Sequence, residues 1–341
     1  MTKQETQQMK GVAILMMLFV HLFGETWKIG SYQSLISFGD TTIEQFLCTA
    51  FNPVAFFLLL SGFGLHFVYK KMGGDRHRYS RVAKVYIHYI FISSLFVVIA
   101  LLLGKSVLPT EGEIVTNILN NLIGLNPTWN PHAWFLLPFS ILSLVSPWLF
   151  RWVDRIKPWW IFVGALFWGL CTSFVVSRFG SEYLYPNRWL YNIFLPFHLA
   201  PSLVLGALIH RCGLIRRTRS SIGKTAIAQL GGYLFIIVLI VAVSFFHPLG
   251  ILYSFCFTIL FVSLHKSAWI SKGLALLGEH SMNMWFIHGW LCCTLFMDFF
   301  FSFHYSLLIW AATAIVSLLL SYVANWICAP LDRWVGKVLA S

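Results

Sequence analysis

The chain has 341 residues, 58% of them hydrophobic and 11% charged, with a net charge of +12 and a mean hydropathy of +0.75. A soluble domain is about 25% charged, so this composition excludes an ordinary soluble protein. It fits an all-α, polytopic membrane protein, in which apolar runs of spanning length alternate with short basic clusters. The whole of 1–341 reads as one membrane-embedded domain with no separate soluble part. No basic stripe interleaved with stacking aromatics stands in a soluble module, which sets nucleic acid aside as a partner.

The hydropathy predicts about ten transmembrane helices, at 10–30, 45–69, 84–104, 132–150, 159–177, 189–210, 225–246, 249–265, 281–301 and 305–327. With the N-terminus inside, all of the 24 Lys and Arg residues except Lys28, Lys105, Arg178 and Arg188 fall on inner segments. The positive-inside rule then places both termini in the cytoplasm. Two lysines precede the first run, but no small-residue cleavage site follows Phe23, so that run is expected to remain as a span. The excess positive charge is accounted for by this topology and by attraction to anionic lipid.

The first span reads Lys10-Gly-Val-Ala-Ile-Leu-Met-Met-Leu-Phe-Val-His21. Eleven steps of 100° return a helix to within about 20° of the same face, so Lys10 and His21 share one face about 16 Å apart along the axis. With Lys10 at the membrane surface, His21 would lie about halfway through a hydrocarbon core of roughly 30 Å. A histidine at that depth either packs by hydrogen bonding a neighbouring helix or marks a functional site. No acidic residue in the same span orients it, so its partner must come from elsewhere.

In the second span, Pro53 is expected to bend the helix, and Ser61-Gly62 to allow close helix approach. In the inner segment that follows, Arg78, Arg81 and Lys84 are spaced three apart, which puts them on one face of the entering third helix. They either anchor the topology or clamp a phosphorylated cytoplasmic ligand, since guanidinium groups bind phosphate through two parallel bonds. Two outer segments are long and polar. They run from Ser31 to Glu44 and from Lys105 to Pro131, the latter with Glu111, Glu113, Asn117, Asn120, Asn121, Asn126 and Asn130.

His132 and Trp134 open the fourth span at its outer end, where Trp134 suits an interface anchor. In the ninth span, His280 is expected near the surface and solvated, whereas His288 lies deep enough to face the interior or a neighbouring helix. The seven cysteines read as small buried hydrophobes, and adjacent Cys292 and Cys293 are poorly placed to bridge each other. The twelve histidines form no HExxH or Cys/His cluster, so no metal is expected.

Five stretches in order resemble the acyltransferase-3 family. They are Lys10 with His21, Ser61-Gly62-Phe63, Arg78-Tyr-Ser-Arg81, His132-Ala-Trp-Phe-Leu136, and Leu277-Gly-Glu-His-Ser-Met-Asn-Met-Trp-Phe-Ile-His288. Lys10 stands where the family more often has arginine, which loses the planar fork. The resemblance covers nearly the whole chain, and without an attached esterase-like domain it is to the stand-alone members. It implies a multi-pass acyltransferase of the cytoplasmic (inner) membrane. Such an enzyme would move an acyl group, acetyl before succinyl, from cytoplasmic acetyl-CoA or another acyl-CoA to a hydroxyl of a surface polysaccharide or lipid-linked sugar. No cofactor is bound permanently; the acyl-CoA is a substrate.

On this reading Arg78, Arg81, Lys84 and Lys10 hold the donor. His21, together with Lys10, is the catalytic pair, with His21 acting as general base or brief acyl carrier. His132, Trp134, His288 and Ser61 line the acceptor side or the cavity. A basic rim with a histidine about 16 Å inward also fits a coenzyme A inserted tail-first. The competing expectation is a carrier or flippase for a lipid-linked sugar, without chemistry; no internal repeat of the kind many carriers show is visible.

Overall fold

The computed structural model describes residues 1–28, 30–72, 76–107, 114–223 and 225–340. Glu111 and Glu113 of the second outer segment, residues 73–75 of the basic inner segment, and Lys224 lie outside the described residues, as do the side chains of Arg76 and His77. The helices are α1 (Lys3–Phe23), α2 (Ile43–Ala50), α3 (Pro53–Met72), α4 (Arg76–Leu102), α5 (Ile114–Ile123), α6 (Leu136–Arg155) and α7 (Pro158–Phe179). They continue with α8 (Arg188–Cys212), α9 (Leu214–Ile222), α10 (Ala226–Phe245), α11 (Gly250–Ser263), α12 (Ala268–Gly289), α13 (Met297–Phe301) and α14 (Ser306–Ala340). A two-stranded antiparallel hairpin, Ser37–Phe38 with Thr41–Thr42, lies in the first outer segment.

Among the described residues, eight helical segments are long and apolar enough to cross a membrane, which makes this a multi-pass all-α membrane protein. They correspond to the first seven expected spans and the last. The expected span at 249–265 is a shorter apolar helix, His247–Ser263. At 281–301, helix α12 starts well before the apolar stretch and gives way to a π-helical turn, Trp290–Thr294, before the short α13. Hydropathy averages over a window and cannot register such a break.

Three further differences have local causes. Helix α1 starts at Lys3 and ends at Phe23, so His21 sits in its last turn rather than at mid-span. Pro53 does not bend a continuous helix but starts a new one. Its missing N–H is not needed at a first position, and Asn52 Oδ1 caps the turn by accepting from the Ala55 N–H at 3.3 Å. The long segment before Pro131 is not open loop, because it contains α5. There buried Asn121 accepts the Trp129 N–H at 2.9 Å and donates to Thr128 at 2.9 Å.

Packing divides the chain into two units. One comprises Met1–Ala13, Thr49–Asp75 and Ile141–Glu279; the other comprises Ile14–Cys48, Arg76–Ser140 and His280–Ser341. In the first, α3 and α8 approach through reciprocal glycines: Gly62 faces the Leu203 carbonyl and Gly206 the Leu59 carbonyl, leaving no room for a Cβ at either. This is the close small-residue packing that membrane helices use. Buried His66 bridges His210 (2.7 Å) and Asp154 (3.2 Å), and Lys70 donates to the same carboxylate at 3.1 Å. A polar cavity of about 630 Å³ is lined in part by Glu5, Gln8, Arg219, Lys266 and Ser271.

In the second unit, α4 packs against α14 around a buried polar network. His88 Nδ1 meets Asn283 Oδ1 at 2.7 Å and its Nε2 meets Asp332 Oδ2 at 3.0 Å. Asn283 donates to Asn325 Oδ1 at 2.8 Å. His280, expected to be solvated, is instead buried, with Nδ1 2.7 Å from Ser321 Oγ. The reason is the early start of α12: His280 stands in the middle of that helix rather than at its exposed end.

Candidate functional site

The second unit brings together three histidines that lie far apart in sequence. His21 occupies the last turn of α1 and remains partly exposed. Its Nδ1 is 2.6 Å from Nε2 of His288, which is fully buried on α12. The two rings lie within 4° of parallel with centroids 4.9 Å apart, as an in-plane N–H···N bond between two imidazoles produces. His132 stands on a 3-10 turn, Pro131–Phe135, opened by a proline at its first position. Its ring centroid is 4.1 Å from that of His21 and 5.7 Å from that of His288.

The hydrogen bonds fix the tautomers. His288 Nδ1 lies 3.1 Å from the Met284 carbonyl oxygen, which only accepts, so Nδ1 carries the proton. In a neutral ring the Nε2 lone pair of His288 then accepts, and His21 must donate to it from Nδ1. Neutral His21 is thereby left with its lone pair on Nε2, the form able to take a proton. This is the orienting partner that no residue of the first span supplies.

Two backbone features seat the cluster. Gly289 follows His288, and a Cβ there would meet the Asn130 side-chain oxygen and, at 2.9 Å, His132 Cδ2; only glycine leaves His132 its place. Asn130 is fully buried and donates to the Phe286 carbonyl at 2.8 Å. Its Oδ1 has no hydrogen-bond partner among the described residues. The Trp285 indole N–H donates to the His132 carbonyl at 2.9 Å, tying the 3-10 turn to α12.

A buried cation completes the surroundings. After α1 the chain makes a 3-10 turn, Thr26–Lys28, which returns Lys28 to the helix end with its side chain fully buried. Its ammonium donates to the His21 carbonyl at 2.5 Å and to Cys293 Sγ at 3.2 Å, with Glu25 at 3.7 Å. The last carbonyls of a helix lack partners within the helix and carry partial negative charge, which accounts for the first contact. Cys293 belongs to the π-helical turn and is partly exposed; buried Cys292 lies beside it, with the two sulfurs at hydrogen-bond distance, 3.3 Å, and not joined as a disulfide.

The remaining expected residues are placed as follows. Arg78, Arg81 and Lys84 lie on the first turns of α4, each half-buried. Arg78 reaches the Tyr79 hydroxyl at 3.0 Å, Arg81 sits over the Phe139 ring at 5.0 Å, and Lys84 approaches Gly336 of α14. Trp134 packs edge-on against Phe135 with centroids 5.9 Å apart. Ser61 and Lys10 fall in the first unit; Ser61 Oγ donates to the Phe57 carbonyl of its own helix at 2.7 Å.

Sequence reasoning singled out His21, His132 and His288 but missed Lys28, Asn130 and Cys293. Lys28 reads as one of four outer basic residues, Asn130 as loop, and Cys293 as a small hydrophobe. The one signal available was the polar run Asn130-Pro131-His132 entering an apolar span. Among the described residues, no group of three His, Cys, Asp or Glu is arranged to hold a metal. Residues 6–326 match the model of the acyltransferase-3 family, described as an acyltransferase domain. No curated protein and no solved structure matches significantly.

Proposed function

The chain belongs to the acyltransferase-3 family, and from that premise we propose that it O-acylates a carbohydrate hydroxyl outside the cytoplasm, taking the acyl group, acetyl in the first instance, from a cytoplasmic acyl-CoA. That it is a membrane acyltransferase follows from the family and the apolar helices. The donor, the acceptor and the residue roles are the proposal. The orientation with both termini in the cytoplasm, in the cytoplasmic (inner) membrane, belongs to it as well, supported by the basic residues of the inner segments.

The observation that carries the reading is the 2.6 Å bond between His21 and His288. It leaves His21 Nε2 as a base beside a partly exposed face. As the acceptor oxygen attacks the acyl carbonyl, its proton passes to Nε2. The imidazolium that forms keeps its Nδ1–H on His288, so the positive charge is met by a fixed acceptor. The departing CoA sulfur then takes the proton. His132, whose ring lies 4.1 Å from that of His21 and tilted to it by 39°, would contact the acceptor sugar. Buried Asn130 has an oxygen able to accept from a sugar hydroxyl. Arg78, Arg81 and Lys84 supply positive charge for the CoA phosphates, and Lys10, eleven residues before His21 on α1, is a further donor-binding candidate.

Isothermal titration of the purified protein with acetyl-CoA tests the donor. Saturable binding, weakened about 10- to 150-fold in the Arg78→Ala/Arg81→Ala variant by loss of charge-assisted phosphate bonds of about 1.5–3 kcal/mol, supports the reading. A carrier for lipid-linked sugars has no reason to bind acetyl-CoA, and absence of binding by folded wild-type protein would contradict the donor assignment.

A further inference from the structure

We infer that Cys293 is a nucleophile that carries the acyl group between donor and acceptor, so that the reaction proceeds through a thioester on the protein. The inference rests on the acyltransferase reading and adds a catalytic residue to it. Four observations support it. Cys293 is partly exposed, unlike its neighbour Cys292. Its sulfur lies 3.2 Å from the ammonium of fully buried Lys28. Lys28 also donates to the carbonyl of His21, the same group to which the protonated Cys293 thiol donates at 3.7 Å, so nucleophile and base are tied to one backbone group. The turn that carries Cys293 is π-helical, a backbone irregularity often found at functional sites.

The thiolate is the nucleophilic form of cysteine, and the charge that balances it here is Lys28. A lysine with no such task is an unusual choice for a fully buried position near a helix end, because burying an ammonium is costly unless it is paired. Its ammonium meets two neutral groups at hydrogen-bond distance, the His21 carbonyl and the Cys293 sulfur, lies over the Trp27 ring at 4.9 Å, and has the half-exposed Glu25 carboxylate as an ion-pair partner at 3.7 Å. A thiolate at Cys293 gives the buried cation a close counter-charge.

The chemistry balances in two transfers. In the first, Cys293 Sγ⁻ attacks the acyl-CoA carbonyl; the new C–S bond forms, the bond to the CoA sulfur breaks, and CoA leaves as its thiolate. One thioester replaces another, so no outside energy or redox partner is required. In the second, the acceptor hydroxyl gives its proton to His21 Nε2 while its oxygen attacks the Cys293 thioester. The C–S bond breaks, Cys293 returns to thiolate beside Lys28, and the imidazolium gives its proton to water, while the CoA thiolate released in the first transfer takes one from water. The sum is acyl-CoA plus alcohol giving ester plus CoA. A carrier of this kind suits substrates that reach the protein from opposite sides of a membrane, because the two need never be bound together.

The test uses the full-length protein in nanodiscs with radiolabelled acetyl-CoA and no acceptor, alongside cells in which envelope ester acetate is measured. Wild-type protein is expected to release CoA in a burst matching the amount of enzyme. It should also retain a label that neutral hydroxylamine removes and peptide mass analysis places on Cys293. Cys293→Ala and Cys293→Ser should lose that label, and Cys293→Ala should lose cellular ester acetate by about 100-fold or more, while exposed Cys171→Ala keeps both. If wild-type cells make ester acetate and folded Cys293→Ala makes it within about twofold, the relay is overturned and the acyltransferase reading stands. A label on His21 instead of Cys293 likewise overturns the relay alone. If the wild-type protein neither releases CoA nor supports ester acetate, both fall.

Discussion

Replacing His288 with phenylalanine isolates what the second histidine does for the first. The ring is fully buried, and phenylalanine fills much of the same space without an acceptor nitrogen. His21 Nδ1 then loses the partner 2.6 Å away, and both neutral tautomers become open to it. In the transition state the loss is larger, because the imidazolium would have donated a charge-assisted bond. Such bonds contribute about 1.5–3 kcal/mol, which at 1.36 kcal/mol per decade is a fall in kcat of about 10- to 150-fold. The affinity for acyl-CoA measured by titration should stay within about twofold, since the interaction is made as the acceptor hydroxyl reacts rather than in donor binding. His288→Gln, which restores an acceptor oxygen, should recover part of the rate. The assay is steady-state CoA release by purified variants with matched thermal stability. A folded His288→Phe protein with kcat within about twofold of wild type would refute the assignment of His288 as the orienting residue.

Other consequences follow from the same geometry. Gly289→Ala drives a Cβ into Asn130 and His132, and a displacement of about 1 Å at the site should lower the rate about 100-fold with little change in acetyl-CoA affinity by titration; an unchanged rate would show that His132 is not held as described. Gly62→Ala pushes a methyl into the Leu203 carbonyl, whereas Gly64 has open space around its Cβ direction. Overpacking of that kind costs about 1–3 kcal/mol, so Gly62→Ala should lower the Tm in detergent by several degrees while Gly64→Ala leaves it unmoved.

The pH response of Lys266, between α11 and α12, has a definite sign. Burial, partly offset by Glu5, lowers its amine from the ordinary 10.5 to about 8. Between about pH 8 and 10.5 the folded chain therefore binds fewer protons than the unfolded one, and stability rises with pH in that window and is flat below it. Thermal unfolding of wild type and Lys266→Met across pH 7–11 should show the rise in the first alone; parallel curves would refute it.

The helical, membrane-spanning character and the three histidines were legible because hydropathy and intramembrane ionisable residues are one-dimensional signals. Their meeting was not. His21, His132 and His288 come from three separate stretches, and only packing shows that His288 rather than an acidic residue orients His21. Lys28 was counted by charge as an outer residue, since a sequence does not reveal that a 3-10 turn folds it back onto the end of α1. Cys293 looked like filler because its distinguishing features, a neighbouring ammonium and a π-helical turn, are both spatial. The place of His21 within its helix was not legible either: the apolar run begins at Lys10, but the polar Lys3–Gln8 stretch is helical too, which puts His21 in the last turn. The basic residues of α4 were read as one face, and they do share the first turns of that helix. Arg78 and Arg81 nonetheless turn toward different rings, Tyr79 and Phe139.

The most direct measurement of the central claim is the acetate released by mild alkali from the envelope polysaccharide of the native host, compared between the intact chain and His21→Ala at matched protein level. The account predicts that ester acetate is lost with His21→Ala while the polymer is still made. Ester acetate unchanged both in the variant and in a strain lacking the chain would contradict it.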